Sequence, residues 1–243
     1  FTPEAMSERS SGPSLLLLIL LVALLALLAG RDRPAVPREH DQPAPALEEH
    51  SAVTLTAGQA CLDAGYLCDE LARADSLRVL RWPDTVSRLR VRVPVPELAD
   101  AARSRELRNA AVRGILAWQD APLRIEVSGE DVDADVVVSW TSRPQAGRLG
   151  ETRLEWRERD GVVTFRVPRL ELATVSPLDG RPLSGGEVEL VAVHEMGHAL
   201  GLPHSDSPDD VMHAEKTARF LTTRDHRTVQ ALYRIPTGAL IVP

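Results

Sequence analysis

The sequence predicts an α+β domain: a sheet of several strands covered by one long helix, then a second helix that carries the chemistry. Three observations predict it. Five short segments, 88–95, 123–127, 135–140, 148–156 and 162–167, read as strands from their apolar patterning and the turn residues at their ends. Glu97–Trp118 places apolar residues at helical spacing between the first two of these. Val188–Leu202 is helical in pattern, apolar along one side, and holds two histidines one turn apart.

Composition limits what such a domain can do. The 243 residues are 44% apolar and 26% charged, enough for a real core and unlike a disordered, collagen-like or polytopic membrane chain. With 28 basic against 35 acidic residues the net charge is −7, so no nucleic-acid partner is expected, because such partners need a basic footprint to displace counterions. Two cysteines are too few to build a disulfide scaffold.

Three segments precede the domain. Residues 1–30 contain an unbroken apolar run of fifteen residues, Leu15–Ala29, with Met6 the expected initiator ahead of it. A bilayer span takes about 20 residues, so the run fits the core of an export signal, either cleaved or retained as a single anchor. It would be the chain's contact with a membrane, and it implies an extracytoplasmic location. Residues 31–50 hold four prolines and eight charged residues, the composition of an extended, solvated tether. Residues 51–76 look helical, with a break at Ala64-Gly65. On one continuous helix Cys61 and Cys68 would lie about 10 Å apart, beyond disulfide reach, so a bridge needs a bend near Gly65. Export favours such a local bridge; two unpaired thiols, or a thiolate on a metal, are the alternatives.

The domain proper is 77–243. Leu89, Val91, Val93 and Val95 alternate with Arg88, Arg90 and Arg92, a half-buried strand that Pro94 and Pro96 end or confine to an edge. Leu98, Ala101, Ala102, Leu107, Ala110, Ala111, Ile115 and Trp118 mark the face of the long helix. Leu123–Val127 and Asp135–Trp140 follow as strands, the second apolar enough for a sheet interior. Arg148–Trp156 and Val162–Val167 form a hairpin across Glu158–Gly161.

The chemistry is concentrated in VELVAVHEMGHALGLPH, Val188 to His204. His194 and His198, four apart, share a helix face, so both imidazoles reach one ion. Zinc suits them, binding imidazole nitrogen at about 2.0–2.1 Å with tetrahedral preference. Gly201 can enter positive φ, end the helix and let the chain bring His204 in as third ligand. Three neutral imidazoles leave a fourth position for water, the mark of a catalytic site, and Glu195 is placed to act as general base. HExxHxxGxxH fixes five positions in eleven residues, so a chance match is rare.

On these residues the chain resembles the metzincin metallopeptidases, and HEMGHALGLPHS is most similar to their matrixin branch, with Ser205 after the third histidine. The resemblance implies a zincin fold: a twisted, mixed, mainly parallel sheet packed on the long helix and the active-site helix, with a C-terminal helix at Leu221–Tyr233. It implies that Met212, eight residues past His204, is an apolar floor beneath the imidazoles. It also implies an edge strand, here Arg148–Trp156, along which an extended peptide binds by β-addition. The sequence departs from matrixins in three places: His213-Ala214 replaces the usual proline after the turn methionine, PRCGxPD is absent, and no histidine between His50 and His194 can hold a second, structural zinc. His213 and His226 are expected at the surface, and nothing in the sequence supports a calcium ion or fixes an oligomeric state.

The function this implies is zinc-dependent endopeptidase action on proteins or peptides, with the ion acidifying water and Glu195 moving its proton to the leaving amine. Two alternatives stand beside it. In one, Glu215 replaces His204 as third ligand. In the other, the chain is a membrane-tethered, catalytically silent zinc-binding module, which would have no use for Glu195.

Overall fold

Five strands form the main sheet: β3 (Arg88–Arg92), β4 (Arg124–Ser128), β5 (Val136–Thr141), β6 (Gly150–Arg159) and β7 (Val162–Ala173), in the order β4-β3-β5-β7-β6. Four run parallel and β6 pairs antiparallel to β7 at the edge. The computed structural model describes residues 53–243 apart from 130–132, 146, 160–161, 216–217 and 219. The apolar run 15–29, the tether 31–50 and the tip of the hairpin at Asp160-Gly161 therefore lie outside the described residues. Among the described residues, no helix is long and apolar enough to cross a membrane.

The mixed, mainly parallel sheet is the predicted one. Leu89, Val91 and Val93 are fully buried, as the alternation requires. β3 lies inside the sheet, so Pro94 and Pro96 end it rather than hold it to an edge. β7 runs to Ala173, well past the predicted Val167, because its second half pairs with β5 as well as with β6. The long helix α2 (Ala101–Leu116) starts later than the predicted Glu97. Asp100 caps it, its carboxylate accepting from the N–H groups of Ala102 and Arg103 at 2.8 and 3.2 Å. Ala101 and Ala102 are exposed, whereas Leu107, Ala110, Ala111 and Ile115 are fully buried.

The histidine-bearing helix α3 (Gly185–Leu200) lies against α2, with the Trp118 indole N–H donating to the Val193 carbonyl at 2.8 Å. Ser184 and Glu187 form a capping box at its start, and Arg181 pairs with Glu187 at 2.6 Å. The Arg181 guanidinium, then the Ser184 hydrogen bonds, hold the Glu187 carboxyl down at about 2. A folded-state pKa below the unfolded one stabilises the fold above about pH 4.5, and that contribution fades as pH falls toward about 2. Thermal melts should therefore show wild type above Glu187→Gln at neutral pH, with the gap closing across that acidic window.

Residues 53–80 are packed into the same body. A second sheet is built from β1 (Thr54–Thr56), β2 (Leu77–Arg78) and the C-terminal strand β8 (Leu240–Val242), with β8 in the middle. Between β1 and β2 lie helix α1 (Ala57–Ala60) and a 3-10 turn, Asp69–Ala72. The chain bends between them at Asp63 and Gly65, both at positive φ, and Cys61 and Cys68 form the local disulfide with Cα atoms 5.8 Å apart. Tyr66 and Leu67 are carried into the core by that bend. The C-terminal helix α4 (Thr223–Leu232) closes the body beneath them.

Candidate metal centre

The three predicted imidazoles come together. Ligand nitrogens of His194, His198 and His204 all lie within 4.8 Å of one another. The Nε2 atoms of His198 and His204 are 3.2 Å apart, close to the edge of a tetrahedron with bonds of about 2.0–2.1 Å. The backbone fixes which nitrogen faces inward. His194 Nδ1 donates to the Val211 carbonyl at 2.8 Å and His198 Nδ1 to the Leu202 carbonyl at 2.9 Å. With Nδ1 protonated, Nε2 carries the lone pair. Neutral nitrogen donors at this spacing fit zinc.

Local sequence accounts for the convergence. Gly201 ends α3 at φ 101°, and an added Cβ there would lie 2.2 Å from the Leu80 carbonyl oxygen. The carbonyls left over at the helix end are matched: Ala199 accepts from the Trp82 indole at 2.8 Å and Leu200 from the Tyr233 hydroxyl at 3.0 Å. His204 follows three residues on. Met212 is fully buried, and its Sδ sits against Gly197, where a Cβ would come within 2.3 Å. That contact explains the glycine inside HEMGH, since any side chain there would collide with the Met212 thioether.

Two hydrogen-bond networks, one buried and one partly exposed, hold the turn that carries Met212. Asp225 accepts from the Val211 N–H at 3.3 Å and from the Tyr66 hydroxyl at 2.9 Å, so the residue whose carbonyl receives His194 is tied to α4 and to the N-terminal bend. Burial, reinforced by the Asp225 charge, pushes the Tyr66 hydroxyl far up and keeps it a donor. In the second network Asp210 takes hydrogen bonds from Ser205 and Arg224, and Arg224 also pairs with Asp69 at 2.7 Å.

Glu195 is buried, and its surroundings were not legible in the motif. The Thr152 hydroxyl lies 2.9 Å from Glu195 Oε2 and 2.8 Å from the Glu195 carbonyl oxygen. Gly150 leaves the space the carboxylate fills, since a Cβ there would stand 2.7 Å from Oε1. Both residues come from β6, more than forty positions earlier, and no spacing signal links them to α3. The other candidates fall elsewhere: among the described residues, Glu215 is exposed and neither it nor His213 or His226 joins the histidine cluster.

Comparison with known proteins agrees with this geometry. The family model described as Matrixin matches residues 104–234, more than half of the chain. Human matrix metalloproteinase-15 is 44% identical over 61 residues, covering 23% of this chain and 9% of that protein. Cat matrilysin is 47% identical over 60 residues, 23% of this chain and 22% of its own length. Rat macrophage metalloelastase is 38% identical over 63 residues, 23% of this chain and 13% of its own. The aligned stretch thus spans less than a quarter of each relative.

Proposed function

This chain belongs to the matrixin family, and from that premise we propose that it is a zinc-dependent endopeptidase acting on proteins or peptides outside the cytoplasm. The observation that carries the proposal is a buried glutamate held beside three imidazoles whose inward nitrogens suit one zinc ion. His194, His198 and His204 would hold the ion, oriented by the Val211 and Leu202 carbonyls. When bound, zinc acidifies a coordinated water and polarises a carbonyl.

The chain's own residues do the rest. Glu195 takes the proton of the attacking water and passes it to the leaving amine. Thr152 fixes the carboxylate through Oε2, so the base is pre-oriented. β6 is hydrogen-bonded on one side to β7 and is the last strand of its sheet, which offers its other edge to an extended peptide backbone. The Cys61–Cys68 bridge and the apolar run Leu15–Ala29 support an oxidising, extracytoplasmic setting, secreted or anchored.

The test is direct. The full chain, supplied with zinc, should hold one equivalent of the metal and cleave casein or a fluorogenic peptide. A chelator should abolish cleavage and added zinc restore it. Stoichiometric zinc without any cleavage would instead make the chain a silent zinc-binding module.

A further inference from the structure

We propose that the solvent face of the β6–β7 hairpin docks a linear polysaccharide bearing sulfate or phosphate esters, a role that does not depend on peptidase activity. The register of the sheet gathers arginines there. Arg153 of β6 lies opposite Arg169 of β7, Arg169 beside Val137 of β5, and Val137 beside Arg92 of β3, so three of the four positions on that rung are arginine. Toward the hairpin tip the same face pairs Glu155 with Arg166 and Arg157 with Thr164, and Arg159 follows. Arg153, Arg157, Arg159, Arg166 and Arg169 are all exposed. The packed face is the other one, where Phe165, Val167, Leu170 and Leu172 are buried.

An arginine set directly across from an arginine repels it and costs stability. A neighbouring carboxylate relieves such repulsion, and the far half of the same sheet face has them. Arg88 and Arg124 share Glu126 at 3.6 and 3.1 Å, and Arg90 pairs with Asp135 at 3.3 Å. The hairpin half is different. Among the described residues, none of its five arginines forms an ion pair with a carboxylate, and Glu155 is the one acidic residue on this face of those rungs. Glu158 belongs to the opposite face, where it pairs with Arg78 at 3.3 Å. This positive excess stands on a chain of net charge −7, so it is a property of the place and not of the whole composition.

The layout selects the partner. From Arg153 to Arg159 the strand runs about 20 Å at about 3.3 Å per residue, and from Arg153 to Arg92 the rung spans about 14 Å at about 4.8 Å per strand. Cations spread over such an area suit a polymer with recurring anions, whereas a single small ion is held by donors converging on a concavity. The guanidinium fork meets phosphate oxygens two at a time, and a sulfate ester offers the same tetrahedral oxygens. A bilayer surface fits less well, because it takes apolar side chains beside the charge. The exposed apolar residues of β6, Leu154 and Trp156, alternate to the opposite face. A nucleic acid would meet a chain of net negative charge, and the Cys61–Cys68 bridge fits an oxidising compartment away from the cytoplasm.

The experiment titrates the full chain with a heparin octasaccharide. Binding is expected at low salt and should weaken at least about tenfold at about 0.3 M salt as the contacts are screened. Arg153→Glu combined with Arg169→Glu should bind at least about tenfold more weakly than wild type. Arg105→Glu combined with Arg227→Glu reverses two exposed arginines on α2 and α4 instead, and should stay within about twofold of wild type. Arg169→Glu alone gives a second readout. It exchanges repulsion across the rung for attraction, so Tm without heparin should rise by about 1–4 °C while heparin affinity falls. No binding by wild type at low salt, unchanged binding in the hairpin double variant, or equal losses in both double variants would overturn the proposal. Weakened binding with a lowered Tm in Arg169→Glu would assign the arginine to the fold and overturn it too. So would duplex DNA, polyglutamate or phosphatidylserine vesicles binding as tightly as heparin. Cleavage plays no part in these readouts, so the docking assignment and the endopeptidase reading fail separately.

Discussion

Replacing Glu195 with glutamine should lower turnover of a good peptide substrate by a factor of about 10²–10⁴ while leaving zinc content unchanged. The amide keeps the shape of the carboxylate and its place against Gly150 and Thr152. What it loses is the ability to accept a proton, so the defect belongs in kcat rather than in metal or substrate affinity. Thr152→Val gives a graded companion. It removes the hydroxyl that orients Oε2 but leaves the base itself, and should cost about 10- to 100-fold, with Thr152→Ser recovering most of the loss. Rates and bound zinc measured on the same samples decide the matter. Activity of Glu195→Gln near wild type would remove the general base from the proposed chemistry.

Gly201→Val should destabilise the fold by about 3–5 kcal/mol and cut zinc affinity together with it. The residue sits at φ 101°, a region a β-branched side chain avoids, and its Cβ would stand 2.2 Å from the Leu80 carbonyl oxygen. Relief requires either the segment 77–80 or the turn to His204 to move. Either movement separates the third imidazole from the pair on α3. Denaturant melts with and without zinc test this: wild type should gain stability from the ion by mass action, whereas the variant should start lower and gain far less. A variant that melts and binds zinc like wild type would show that the turn tolerates another conformation.

Those two residues were readable because they lie in a contiguous motif whose spacing is set by helix geometry. The strand alternation around Leu89 and the helical face from Leu107 to Ile115 were readable for the same reason, each periodicity being local. Where the sequence misled, either a local cap or a distant partner had decided. Glu97–Ala99 stay outside α2 because Asp100 is the better cap. β7 is extended by its pairing to β5. Three-residue strands such as β1 and β8 carry no detectable period, and their pairing joins Thr54 to Leu240 across nearly the whole domain. Thr152 and Gly150 are invisible for that reason too: their importance arises only once an edge strand lies across the glutamate.

Both neighbours of the final strand come from the start of the domain: β1 on one side, parallel, and β2 on the other, antiparallel. Beginning and end are therefore clasped, three ribbons deep, with the last one innermost. Trimming the protein ahead of Val53 leaves that clasp whole. A shortened form beginning after Ser76 would strip one flank from Leu240–Val242, expose a row of amide and carbonyl groups along a bare margin, and leave Asp225 without Tyr66 and Arg224 without Asp69. The leading stretch is accordingly a permanent member of the fold, and any maturation that sheds a leader must cut upstream of it.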